Sequence, residues 1–87
     1  MSKIVFSEKS WSDYLYWQTQ DKKTIRRINE LLKDIQRRGN VEIGKPEPLR
    51  HDFNGLWNRR IDDQNRLVYI IKEDNIEIVS CRYHYWK

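Results

Sequence analysis

An α+β domain, two N-terminal helices packed on one face of an antiparallel β-sheet, is the fold class this sequence predicts. Three observations predict it. Apolar residues recur at helical spacing in two segments before Gly39. A stretch with two Gly and two Pro then breaks that pattern, and three β-favouring runs joined by turn residues fill the remainder.

The elements follow in order. Residues 3–6 are a short β-favouring stretch ahead of Ser7, a helix N-cap with Glu8 in the first turn. Trp11, Tyr14 and Leu15 recur at i, i+3, i+4 and predict the buried face of a first helix. Asp21 caps a second, in which Ile25, Ile28, Leu31, Leu32 and Ile35 form one stripe and Lys22, Lys23, Arg26, Lys33 and Arg37 the opposite arc. Arg37 and Arg38 suit that helix's C-terminal end, and Gly39 supplies the stop. From Gly39 to Pro48 a loop is expected, made rigid because Pro46 and Pro48 flank Glu47. Strand-like runs follow at 56–61, 66–72 and 76–83. Asp62-Asp63-Gln64-Asn65 and Glu73-Asp74-Asn75 join them, and connections this short force antiparallel hairpins.

With 87 residues and no internal repeat, residues 1–87 read as one domain. Aromatic side chains carry much of the expected core: four Trp, five Tyr and two Phe, with no alanine. No apolar run approaches the ~20 residues of a membrane span, and the N-terminal residues lack the apolar region of a signal peptide. The lone Cys81 excludes an intrachain disulfide and a Cys-rich zinc site. A soluble, reduced, cytoplasmic protein is expected. Its net charge of +4 favours a polyanionic partner, with seven basic residues against Glu30 and Asp34 between Lys22 and Arg38.

The polar inventory narrows the chemistry. There is no metal-ligand spacing of His, Cys and Asp, no Gly-rich phosphate loop and no serine in a nucleophile elbow. What remains is a carboxylate on a Pro-flanked loop, arginines on strands and the terminal run Arg82-Tyr83-His84-Tyr85. Such a set suits metal-free RNA cleavage by a 2′-hydroxyl on its neighbouring phosphodiester. That reaction needs a base, an acid and fixed positive charge for the phosphorane. Glutamate can be the base, arginine a bidentate phosphate clamp and histidine the acid. A non-catalytic basic binding module accounts for the same composition, and composition leaves both open.

Several strings go further. SWSDYLYWQ, RRINELLKDIQR, GKPEPLRH, NGLWNRRI, RLVYII and CRYHY occur here in the order found in the YoeB/Txe toxins of the RelE superfamily, which the chain resembles over nearly its whole length. The resemblance implies a microbial-ribonuclease or RelE-like fold and the toxin of a type II toxin–antitoxin pair. It implies an endoribonuclease that cuts mRNA in the A site of the 30S ribosomal subunit, needs no cofactor and is blocked by a YefM-like antitoxin. By position, Glu47 matches the family's general base, Arg66 its phosphate-stabilising arginine, His84 its general acid and Tyr85 the tyrosine that positions substrate. Arg50 stands where the family often has lysine, and Arg50 and Arg60 are expected to contact phosphates or ribosomal RNA. Trp86 and Lys87 continue past the His-Tyr pair, a departure that sets an extra indole beside Tyr85. Homodimerisation stays open. Operator DNA would be reached only through the antitoxin complex, since no helix-turn-helix signal occurs here. A RelE/ParE-fold binding module or co-repressor is the alternative, against which Glu47 and His84 argue.

Individual residues also have plainer expectations. Arg66 could pair with Asp62 or Asp63 at the surface. Arg59 and Arg60 are adjacent and must point to opposite sheet faces, with Arg60 assigned to the substrate side. His51 is expected to make a local hydrogen bond, and Cys81 to be a small buried hydrophobe.

Overall fold

Two short polar side chains start the two helices. In the computed structural model, which describes residues 2–37, 44–48 and 55–83, Ser7 Oγ accepts the Ser10 N–H at 3.0 Å and opens helix α1, Glu8–Gln20. Asp21 both ends α1, donating its N–H to Trp17 O at 3.0 Å, and caps helix α2, Lys22–Gln36. Its carboxylate accepts from the Thr24 hydroxyl at 2.9 Å and the Lys23 N–H at 3.0 Å. These bonds, the Thr24 hydroxyl foremost, hold the Asp21 carboxyl below its ordinary pKa.

Helix α2 follows its sequence pattern. Ile28, Leu31, Leu32 and Ile35 are buried, Ile25 is half-buried, and the five basic residues of the opposite arc are exposed. Helix α1 does not. Trp11 and Leu15, expected inside, are 48% and 41% exposed, and the inner face carries Ser10, Asp13, Tyr14 and Trp17. The cause is polar: Asp13 and Trp17 both bond the backbone of Cys81, which turns the helix so that a carboxylate faces inward. Trp11 instead lies stacked on Tyr14 and edge-on to Phe6 at the surface.

Among the described residues the sheet has five strands: β1 (Ile4–Phe6), β2 (Glu47–Pro48), β3 (Leu56–Arg60), β4 (Arg66–Lys72) and β5 (Asn75–Ser80), in the order β1-β5-β4-β3-β2. β3, β4 and β5 form the expected antiparallel hairpins. The last turn is a two-residue one with Glu73 and Asp74 both at positive φ, the geometry that follows strand twist. The sheet as a whole is mixed rather than antiparallel, because β1 lies parallel to β5 with Ile4 opposite Ile76. The antiparallel expectation rested on short connections, and β1 has none: it leaves the sheet into the helical pair. A second difference is β2. Glu47 lies in a two-residue edge strand rather than a loop, an extended conformation that Pro48 imposes on the residue before it. Strand β5 ends at Ser80, short of the expected Tyr83, because the following backbone groups bond outside the sheet.

The core lies between the helices and one sheet face: Ile28, Leu31, Leu32 and Ile35 against Ile61, Leu67, Tyr69, Ile76, Ile78 and Cys81. Cys81 is fully buried as expected. Burial, with the Asp13 carboxylate close by, pushes its thiol pKa up to about 12. Among the described residues no helix is long and apolar enough to cross a membrane.

Candidate active site

Strand register decides which side chains share a surface. Residues directly opposite in an antiparallel ladder point to the same side, and neighbours along a strand alternate. Leu67 and Tyr69 belong to the helix-side core, so Arg59, opposite Leu67, points there too. It is 3% exposed, donates through Nη1 to the buried Asp34 carboxylate of α2 and through Nε to Tyr69 Oη at 3.1 Å. Burial works against its charge, but the bonds to Asp34 and Tyr69 outweigh it and hold the guanidinium protonated beyond its ordinary value.

The other face collects the expected site residues. Glu47 is opposite Asn58, Asn58 is opposite Val68, and Arg60 is opposite Arg66, so all five share the side away from the helices. Glu47 and Arg60 are exposed and Arg66 is half-buried. Glu47 and Arg66 are two strands and two residue steps apart, roughly 10 Å across and roughly 7 Å along the sheet between Cα atoms. Two long side chains at that spacing leave room for a phosphate-sized group between their tips.

Each member is held from the backbone outward. Gly44, at φ +79°, approaches β3 so closely that a Cβ would lie 2.9 Å from Leu31 Cδ2 and 3.0 Å from Arg60 O. Its carbonyl accepts the Arg60 N–H at 2.8 Å, which ties the Glu47 segment to the sheet. Asn58 adds a bond from Nδ2 to Glu47 O at 3.2 Å. Arg66 forms an ion pair with neither Asp62 nor Asp63, the plainer alternative to a phosphate role. Its Nη1 donates to the backbone carbonyls of Asp62 at 2.7 Å and Asn65 at 3.1 Å, while Asp63 pairs with Arg60.

The C-terminal run is fastened beside Arg66. Asp13 Oδ2 accepts the Cys81 N–H at 3.0 Å and Trp17 Nε1 donates to Cys81 O at 2.8 Å. Two residues on, Asn65 Oδ1 accepts the Tyr83 N–H at 2.7 Å and the Arg66 N–H donates to Tyr83 O at 3.1 Å. Between them, the Arg82 guanidinium lies 3.5 Å from the centre of the Tyr16 ring and 4.6 Å from that of Tyr83. Tyr83, the residue before His84 in the sequence, is therefore held next to Arg66. His84, Tyr85 and Arg50, three of the six residues singled out from sequence, lie outside the described residues, as do His51 and Trp86-Lys87. Asn65, Asp13 and Trp17 were missed, since turn asparagines and helix-face aromatics carry no signal of a distant backbone partner. Among the described residues no group of three or more His, Cys, Asp or Glu side chains could hold a metal ion.

Known proteins resemble this chain over nearly its whole length. Residues 6–85 match the family described as the YoeB-like toxin of the bacterial type II toxin–antitoxin system. The chain is 52% identical to toxin YoeB of Escherichia coli strain K12 over 83 residues, 95% of this chain and 99% of that protein. Its fold matches the YoeB dimer of Staphylococcus aureus with a TM-score of 0.87 at 48% identity, covering 97% of this chain and 98% of the other. It also matches a chain of the YoeB–YefM complex of the same organism with a TM-score of 0.86 at 46% identity, covering 98% and 99%.

Proposed function

The chain belongs to the YoeB-like toxins of bacterial type II toxin–antitoxin systems, and from that premise we propose that it is a ribosome-dependent endoribonuclease that cuts mRNA in the A site. The observation that supports the reading is the register that sets Glu47, Arg60 and Arg66 on one face, with Tyr83 bonded to the Arg66 backbone. Arg60 and Arg66 face each other directly across two strands, an arrangement of like charges that a bound anion relieves.

Glu47 takes the proton of the 2′-hydroxyl, whose oxygen attacks the adjacent phosphorus. Arg66, its Nη1 fixed by two carbonyls, presents the rest of its donor fork to the phosphorane oxygens as their charge grows. His84 gives a proton to the departing 5′-oxygen, Tyr85 positions the substrate, and Arg50 and Arg60 contact phosphates. The products are a 2′,3′-cyclic phosphate and a 5′-hydroxyl end, formed without metal or cofactor. Work on the ribosome makes the protein cytoplasmic and gives the exposed basic arc of α2 a polyanionic surface to meet. A YefM-like antitoxin is its expected partner, supported by the S. aureus complex, and a homodimer is supported by the S. aureus dimer; inhibition and any link to operator DNA would run through that antitoxin.

The test incubates the purified protein with mRNA, free in EDTA or on programmed ribosomes in magnesium, and maps the cut ends. Cleavage at the A site that falls by ~10²-fold or more in Glu47→Ala and His84→Ala is the expected result. Intact mRNA in every arm would replace this reading with that of a non-catalytic binding module.

A further inference from the structure

Asn65 does more than close the turn between β3 and β4. The turn is already closed by Asp62, whose Oδ1 accepts the Gln64 and Asn65 N–H groups, both at 2.8 Å. Yet the Asn65 side chain is buried and uses both of its ends. Its Nδ2 donates to Asp62 Oδ1 at 3.0 Å and Oδ2 at 3.1 Å, and its Oδ1 accepts the Tyr83 N–H at 2.7 Å. The next residue is Arg66, whose N–H donates to Tyr83 O and whose Nη1 rests on the carbonyls of Asp62 and Asn65. Tyr83 itself sits at φ +65°, a left-handed conformation that a bulky residue keeps only where its neighbours hold it. The two bonds to its peptide groups, one from Asn65 and one from Arg66, are what hold it.

From this geometry we propose that Asn65 is a positioning residue for RNA cleavage: by bonding Asp62 and the Tyr83 peptide at once, it fixes the spacing between Arg66 and Tyr83, the residue that precedes His84 in the sequence. This inference rests on the reaction proposed above. A lost bond here frees the residue before the acid to relax out of its left-handed conformation. The chain just before His84 and Tyr85 then loses its fixed place beside Arg66, while Arg60 and Arg66 keep theirs in the strands.

The experiment compares wild type, Asn65→Ala, Asn65→Asp and the double swap Asp62→Asn with Asn65→Asp. It uses single-turnover and steady-state cleavage on programmed ribosomes, with thermal melting and amide hydrogen exchange of each protein. Asn65→Ala should lower kcat about 10- to 100-fold and leave KM within about twofold. Its Tyr83 amide should lose protection while that of Cys81, held by Asp13, keeps it. Asn65→Asp sets two carboxylates against each other and should also lose activity. The double swap restores one donor and one acceptor between the two positions and should recover most of the rate. Wild-type kcat in folded Asn65→Ala, or unchanged Tyr83 protection with no repair by the swap, would overturn the positioning role alone. A wild type that cuts no mRNA on ribosomes is a distinct outcome and would overturn the parent reaction together with it. Should Asn65→Ala fail to fold, the single and double carboxylate variants decide the matter between them.

Discussion

Arg59 and Arg60 are neighbours in β3, and the molecule treats them in opposite ways. Arg59 faces the helices, where Asp34 and Tyr69 take its donors in a region closed to water. Arg60 faces away, keeps its side chain in solvent and pairs with Asp63, itself largely exposed. The same contrast runs across the sheet. On the helix side, charge is matched by an opposite charge inside the core. On the open side, Glu47, Arg60 and Arg66 keep donors and acceptors within reach of something that is not protein. Strand alternation thus sorts a basic sequence into charges that hold the fold together and charges available to a ligand.

That contrast is broken most severely on its buried side. Asp34→Ala takes from buried Arg59 the carboxylate that its Nη1 donates to and should cost about 3–5 kcal/mol of folding stability. Replacing both partners by apolar residues of similar volume should recover most of the loss, as urea titrations of the three proteins would reveal. On the open side the effect should move from stability to activity. Arg66→Ala should lower cleavage by ~10²- to 10³-fold while changing folding stability by under ~0.5 kcal/mol, and Arg66→Lys should fall between, since a point charge replaces a planar fork. End-mapped cleavage beside a thermal melt checks both halves of that statement. The smallest effect belongs to the surface pair. Asp63→Ala should shift the melt by less than ~0.5 kcal/mol, and by freeing Arg60 it should tighten RNA binding at low salt, read by filter retention.

Much of this was legible in the residues themselves. The α2 stripe is apolar on one side and basic on the other, and Ser7 and Asp21 announce their helices, so those elements follow from local physics. Helix α1 misleads because its inward positions include Ser10 and Asp13, chosen for what they bond rather than for what they exclude. The parallel pairing of β1 with β5 leaves no local trace, since neither strand contains a signal for its partner. Glu47 and Arg66 could be named from their strings. Their shared face depends on a register that β2 sets with only two residues. The roles of Asn65, Asp13 and Trp17 lie in bonds to backbone far along the chain, which no side-chain pattern encodes.

The position of β5 has a consequence for how the protein comes into being. Among the described strands it comes last along the chain, yet it lies inside the sheet, between β1, which comes first, and β4. Until it emerges, β1 and the helices have no strand connecting them to the β3–β4 hairpin, and a sheet that closes over so great a sequence separation assembles slowly. Cys81, one residue beyond β5, records the event: its thiol reacts while the chain is open and falls silent once it is buried with its pKa near 12. On the proposed function, whatever the protein does to translation begins only after its own translation has passed that strand.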